Sequence, residues 1–272
     1  MRSFRQVDVF GDGGITGNPL AVVHDADGLS DAAMQAFATW TNLSETTFLL
    51  PPTDPGADYR VRIFTGTNEL PFAGHPTLGS AAAWLAAGGR PGRSDEVVQE
   101  CGVGLVRVRV ADDRLAFAAP SRLRTGPLDA AHLAVAEAVL GVPRTEWMAH
   151  EWGDNGPPWT MVELADAAAV RAVRPDLTQL GATQHLGIVG RADGRYAYEV
   201  RGFVGSWEDP VTGSLNAAVA QWLRGRGVVP SSYVATQGSQ LGRHGEIFVD
   251  DDGTDLWIGG RVRPVISGTV DL

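Results

Sequence analysis

The segment DYRVRIFTGTNELPFAG at residues 58–74 returns 139 residues later as AYEVRGFVGSWEDPVTG at residues 197–213. At that offset Tyr59, Val61, Arg62, Phe64, Gly66, Glu69, Pro71 and Gly74 fall on Tyr198, Val200, Arg201, Phe203, Gly205, Glu208, Pro210 and Gly213. Upstream, Gly17, Pro19, Val23 and Asp27 fall on Gly156, Pro158, Val162 and Asp166. A composition rich in Ala and Gly does not repeat Tyr, Arg, Phe, Glu and Pro in register, so the chain reads as two similar halves. Each half offers a strand (58–65 and 196–204), a Gly-containing turn and an Ala-rich helix (Pro76–Ala87 and Ser214–Arg224). Both helices are apolar nearly all round, the mark of a helix buried on every side.

Such a helix has to be wrapped, and strands are plentiful. Candidates are Gln6–Phe10, Leu20–Val23, Thr47–Leu50, Leu105–Val110, Arg114–Ala118, Thr160–Val162, Gly187–Val189, Glu246–Val249 and Asp255–Ile258. Surface helices fit Ser30–Thr41, with Ser30 as N-cap, and Asp129–Leu140. The expected class is α+β: two halves related by a pseudo-twofold axis, each a β-barrel around a central helix. Pro, Ser and Gly cluster at 120–127 and place the boundary there. The N-terminal half is then 1–119 plus 262–272, and the C-terminal half 120–261.

Composition excludes several functions. Net charge is −10, with no basic patch to neutralise phosphates, which argues against a nucleic-acid partner. All 22 basic residues are Arg. Without lysine there is no Schiff base for pyridoxal phosphate and no Walker lysine. The single cysteine, Cys101, cannot close an internal disulfide, and it reads as a buried apolar residue. The six histidines lack ligand spacing, and no HExxH, CxxC or GxGxxG motif occurs, so no metal or nucleotide cofactor is expected. No stretch approaches about 18 consecutive apolar residues, and the start MRSFRQVDVF lacks an apolar signal core. A cytoplasmic protein with no membrane partner is the expectation.

Both central helices begin at turns of small residues, Phe72-Ala73-Gly74-His75-Pro76-Thr77 and Val211-Thr212-Gly213-Ser214-Leu215-Asn216. Pro76 suits a first helical turn and Ser214 can act as an N-cap. The leading N–H groups of a helix have no internal partner and carry partial positive charge, which suits a carboxylate ligand. Twofold symmetry would bring the two starts to one interdomain cleft. Chemistry is expected where the repeat breaks. Glu45 falls on Gln184, Asp209 on Leu70 and His75 on Ser214, so three polar groups are unmatched.

NLSETTFLL around Glu45, FAGHPTLGSA at 72–81, EDPVTGSLNAA at 208–218, QGSQLGRHGEIFV at 237–249 and GNPLAVV at 17–23 resemble the PhzF family, the phenazine-biosynthesis isomerases. The resemblance implies a diaminopimelate epimerase-like fold, a homodimer and a cofactor-free site. It implies Glu45 as the proton carrier. His75 and Asp209 would be catalytic partners, and Gly74, Gly213, Ser214 and Asn18 would bind a small substrate bearing a carboxylate. Relatives of wider kinship, diaminopimelate epimerase and proline racemase, place a cysteine at each helix start. Ala73 and Thr212 stand at the matching positions, which removes two-thiol racemisation. The expected reaction is an isomerisation in which Glu45, its pKa raised by exclusion of water, moves a proton within an unsaturated or cyclic amino or hydroxy acid. The alternatives are an epimerase or other carbon-acid enzyme on this scaffold, or a silent small-molecule-binding protein.

Overall fold

Strand pairing repeats between the halves as their residues do. The computed structural model describes residues 1–111 and 113–272, in two compact units. The first unit comprises Met1–Ala118 and Gly259–Leu272, the second Ala119–Ile258. The first runs β1 (Arg2–Val9), β2 (Asn18–Val23), α1 (Asp31–Thr41), β3 (Glu45–Leu50), β4 (Tyr59–Thr65), β5 (Glu69–Leu70), α2 (Gly74–Ala86), β6 (Glu96–Cys101), β7 (Gly104–Val110) and β8 (Leu115–Ala118). The second opens with α3 (Ala130–Leu140), then β9 (Ala149–Trp152), β10 (Trp159–Leu164), α4 (Ala167–Ala172), β11 (His185–Arg191), β12 (Tyr198–Val204), β13 (Trp207–Asp209), α5 (Gly213–Gly225), β14 (Ser232–Gln237) and β15 (Gly245–Asp251), and β16 (Leu256–Gly260) runs across the boundary at Ile258. The last strand, β17 (Val262–Val270), lies antiparallel on β1 in the first unit.

In the first unit β1/β2, β3/β4, β4/β5 and β6/β7 are antiparallel, while β2/β3 and β4/β6 are parallel. In the second, β9/β10, β11/β12, β12/β13 and β14/β15 are antiparallel, while β10/β11 and β12/β14 are parallel. The two lists are the same path traced twice. One register differs. Glu45 opposes Thr65, whereas Val204, the residue 139 beyond Thr65, opposes His185 rather than Gln184. The counterpart of Glu45 is therefore His185. One additional residue ahead of β11 shifts that strand against the ungapped alignment, which corrects the pairing with Gln184.

Each unit wraps its central helix in strands. Helix α2 packs against β1, β2, β3, β6, β7, β8 and β17, and it is buried from Gly74 to Ala81. Close approach needs a residue without a side chain. A Cβ on Gly79 would lie 2.5 Å from Leu20 Cδ2. In the second unit the gap is on the sheet instead: a Cβ on Gly187 would lie 2.3 Å from Leu215 Cδ1 of α5. Outside the first shell, α1 is capped by Ser30, whose hydroxyl accepts from Ala33 N–H at 3.2 Å, and it covers Phe48 and Phe64. Outside the second, α3 and α4 cover Val162, Leu186, Ile188 and Phe203.

The hairpin leading into each central helix carries the same lock. Arg62 forks onto Glu69 at 2.7 and 2.6 Å, and Arg201 forks onto Glu208 at 2.9 and 2.8 Å. Each guanidinium also sits over the ring two residues on, Phe64 at 5.0 Å and Phe203 at 5.1 Å. Their burial differs. Arg201 is buried and donates to the carbonyls of Val170 and Val173 at the end of α4, while Arg62 is partly exposed and reaches Asp31.

The structure extends most sequence-derived strands by one to four residues and adds β5, β6, β9, β13, β14, β17 and the short helix α4. It also corrects the N-cap. Thr212 precedes α5, and Ser214 is the second helical residue. Cys101 is half-buried at the end of β6 rather than in the core.

Truncating the two matched arginines should separate the value of burial from that of charge. Arg201→Ala is expected to destabilise the protein by about 3–5 kcal/mol in urea unfolding, because Glu208 is left desolvated without its partner. Arg62→Ala, with the same geometry nearer water, is expected to cost about 1 kcal/mol or less.

Candidate active site

The first unit brings Asn18, Glu45, Gly74 and His75 together at the N-terminus of α2. Gly17-Asn18-Pro19 enters β2 through a tight contact: a Cβ on Gly17 would lie 2.1 Å from Val9 O. The buried Asp8 carboxylate accepts from Gly17 N–H with both oxygens at 3.0 Å. This fixes Asn18, fully buried at the first position of β2. Its Nδ2 lies 3.5 Å from His75 Nδ1. Glu45 begins β3, its side chain only 15% exposed, with Oε2 3.4 Å from His75 Nε2.

The pair is a contact rather than a hydrogen bond, for His75 Nε2 makes none. Burial pushes the imidazole down to about 3, against a smaller upward pull from the Pro19 carbonyl. Although a carboxylate neighbour ordinarily favours imidazolium, desolvation dominates at this fully enclosed ring, so His75 is neutral at pH 7. The carboxyl of Glu45 thus faces an uncharged ring with an uncommitted nitrogen. Above them α2 has no side-chain cap, and the amides of Gly74 and His75 have no acceptor among the described residues.

The second unit holds Asp209, Gly213 and Ser214 at the start of α5. Asp209 ends β13, buried, and its Oδ2 accepts from the Thr212 hydroxyl at 2.6 Å. The Ser214 hydroxyl accepts from Trp159 Nε1 at 3.0 Å, which leaves its own proton to donate. Asn155 Nδ2 binds the Ser214 carbonyl at 2.9 Å. As in α2, the amides of Gly213 and Ser214 have no acceptor among the described residues.

Sequence reasoning missed the residue that holds this turn. Gln237 is buried and uses its whole amide. Its oxygen accepts from Thr212 N–H at 3.0 Å and Asn216 Nδ2 at 2.8 Å, and its nitrogen donates to Asp209 O at 3.0 Å and Thr212 Oγ1 at 2.9 Å. In the first unit Gln99 accepts from Tyr59 OH at 2.9 Å and donates to Thr77 Oγ1 at 3.0 Å. Each glutamine stands on the strand parallel to the hairpin strand, one short step from the helix start. The signal was a glutamine among apolar strand residues in each half. Among the described residues no group of three or more His, Cys, Asp or Glu is placed to hold a metal. Among them no helix is long and apolar enough to cross a membrane.

The PhzC-PhzF family, described as phenazine biosynthesis-like protein, matches residues 7–267. The chain is 34% identical to antisense-enhancing sequence 1 of Schizosaccharomyces pombe, covering 98% of this chain and 97% of the relative. It is 33% identical to the trans-2,3-dihydro-3-hydroxyanthranilate isomerase of Pseudomonas aeruginosa, covering 98% and 96%. A solved predicted epimerase from the same bacterium superposes with a TM-score of 0.80 at 30% identity over 99% of both chains.

A histidine held neutral by burial makes stability depend on pH. The unfolded ring takes a proton below about 6.5, while the folded ring resists until about 3. The stability linked to His75 is thus complete above pH 6.5 and is lost as pH falls toward 3, by about 1.4 kcal/mol per unit at most. Urea midpoints at pH 7 and pH 4.5 should converge in His75→Asn relative to the parent. His24 and His185, also lowered mainly by burial, are expected to leave a residual slope.

Proposed function

The chain belongs to the PhzC-PhzF family of phenazine biosynthesis-like proteins and is an isomerase; from that premise we propose that Glu45 is the acid–base group of a proton shift within a small cyclic or unsaturated amino or hydroxy acid. The observation that carries this reading is the enclosed carboxyl of Glu45, 3.4 Å from a ring that burial keeps neutral. A neutral neighbour leaves the carboxylate its negative charge and its basicity, whereas an imidazolium would hold it as an ion pair. The base removes a proton from a carbon made acidic by conjugation, and its carboxylic acid, after exchange with water, delivers a proton to another carbon, so no electrons are exchanged with a partner.

The other groups divide the work. The amides of Gly74 and His75 at the positive end of α2 receive a carboxylate or the oxygen on which charge gathers. His75 Nε2 and Asn18 orient an amino or hydroxyl group. In the second unit, the amides of Gly213 and Ser214 and the Ser214 hydroxyl are donors of the same kind, and Asp209, steadied by Thr212, is an acceptor for an amino group. The relative named trans-2,3-dihydro-3-hydroxyanthranilate isomerase supports a substrate of this class. The same reading takes the enzyme to be a cytoplasmic homodimer of secondary metabolism that needs no cofactor.

Turnover of trans-2,3-dihydro-3-hydroxyanthranilate and related cyclic amino acids in deuterated water, followed by NMR, tests the mechanism. The expected product carries deuterium at the carbon that receives the proton. Glu45→Gln should fold with an unchanged melting temperature and lose about 10²–10⁴-fold in rate. Near-parental turnover by that variant would overturn the assignment of the base.

A further inference from the structure

The second unit contains a cavity of about 220 Å³ that the proposed reaction does not use. It lies where α3 meets the N-terminal ends of β10 and β11, and α3 has no counterpart in the first unit. Its apolar lining includes Val135, Ala136, Leu180, Leu186 and Trp152. Its polar lining includes His132, Gln184 and His185, the last of them the structural counterpart of Glu45.

These three side chains are already aimed. His132 Nδ1 is 2.7 Å from Asp129 Oδ1, and that bond holds the Asp129 carboxyl down to about 2. The ring also packs edge-on against Trp152 at 4.6 Å between centroids. His185 Nδ1 bonds the Thr183 carbonyl at 3.1 Å, and its ring lies edge-on to Trp159 at 5.0 Å. Gln184 Oε1 accepts from Gly181 N–H at 2.9 Å. In each case one end of the group is spent on fixing its orientation. The other end, Nε2 in all three, has no partner among the described residues, yet none of the three atoms is sealed from solvent. Preoriented polar atoms with spare capacity in an otherwise apolar lining are what a small-molecule site requires.

Their chemistry selects the ligand. Gln184 Nε2 offers two N–H donors. His132 donates from Nδ1 to Asp129, so the Nε2 of the neutral ring is an acceptor. His185 donates from Nδ1 to Thr183, and burial lowers its basicity, so its Nε2 is an acceptor. We propose that this cavity is a second ligand site, built for a small aromatic acid that carries a carboxylate and a separate hydroxyl or amino donor. The carboxylate lies against the Gln184 amide, the ring against Trp152 and the aliphatic side chains, and the donor meets Nε2 of His185 and of His132. The inference is independent of the role given to Glu45.

The probe is 4-hydroxybenzoate, titrated into the full chain by calorimetry and by NMR of the histidine ring protons. Saturable binding is expected below millimolar concentration, with shifts at His132 and His185. Benzoate, without the donor, and phenol, without the carboxylate, should each bind at least fivefold more weakly. His132→Leu and Gln184→Leu should each weaken binding about tenfold, with melting temperatures within a few degrees of the parent. Filling the cavity by Val135→Phe should abolish binding and leave turnover at Glu45 intact. Absence of saturation at 10 mM, binding unaltered in both leucine variants, or unmoved histidine signals would each overturn the proposal.

Discussion

A helix cannot satisfy its own first amides, and in this protein two helices are buried from their first residue onward. Neither Ala73 nor Thr212 caps its helix through a side chain. The consequence runs through the whole architecture. The shells that bury α2 and α5 must leave their N-terminal ends open to something with spare electron pairs, or bear the cost of unsatisfied donors. Strand order, the glycine-lined approaches and the hairpin locks all serve to hold those ends in place. The polar groups then gather around the same openings.

The two units solve that problem with different side chains on one plan. Gln99 and Gln237 both brace a helix start, one through Tyr59 and Thr77, the other through Thr212, Asn216 and the Asp209 carbonyl. Where the first unit sets Glu45 against His75, the second sets His185 against Trp159, whose indole reaches Ser214. A duplicated position has thus kept an ionisable residue in both copies while changing its chemistry and its surroundings. The difference between copies lies in what each helix start faces, and that is a matter of a few side chains.

Much of this was legible in the residues. The repeat was visible because Arg62, Glu69, Phe64 and their counterparts serve one hairpin, and a local device keeps its spacing. The buried helices announced themselves by their Ala and Gly content, and the motifs around Glu45, Gly74 and Asp209 pointed to a PhzF-like site. The one-residue slip ahead of β11 was hidden, since an ungapped comparison has no means to register an extra residue in a turn. Gln237 and Asp8 were hidden for another reason. Their partners come from other strands and turns, so nothing in their immediate neighbourhood marks them. Ser214 was read as a cap from its residue type, yet its hydroxyl is engaged by Trp159, 55 residues away in sequence. Strand β17 escaped because all but its two end residues face water, so no alternation appears.

The glycines at the helix–sheet contacts have moved between partners. In the first unit the missing side chain is on the helix, at Gly79, beneath Leu20; in the second it is on the strands, at Gly187 and Gly202, beneath Leu215. Thr47 and Ile63 occupy the corresponding strand positions of the first unit. The two helices are therefore keyed to their own sockets, like bolts cut to different threads. A chimaera carrying α5 in the first shell would drive Leu215 into Thr47 and Ile63, so the ancestral interchangeability of the halves has been lost at the level of a few methyl groups.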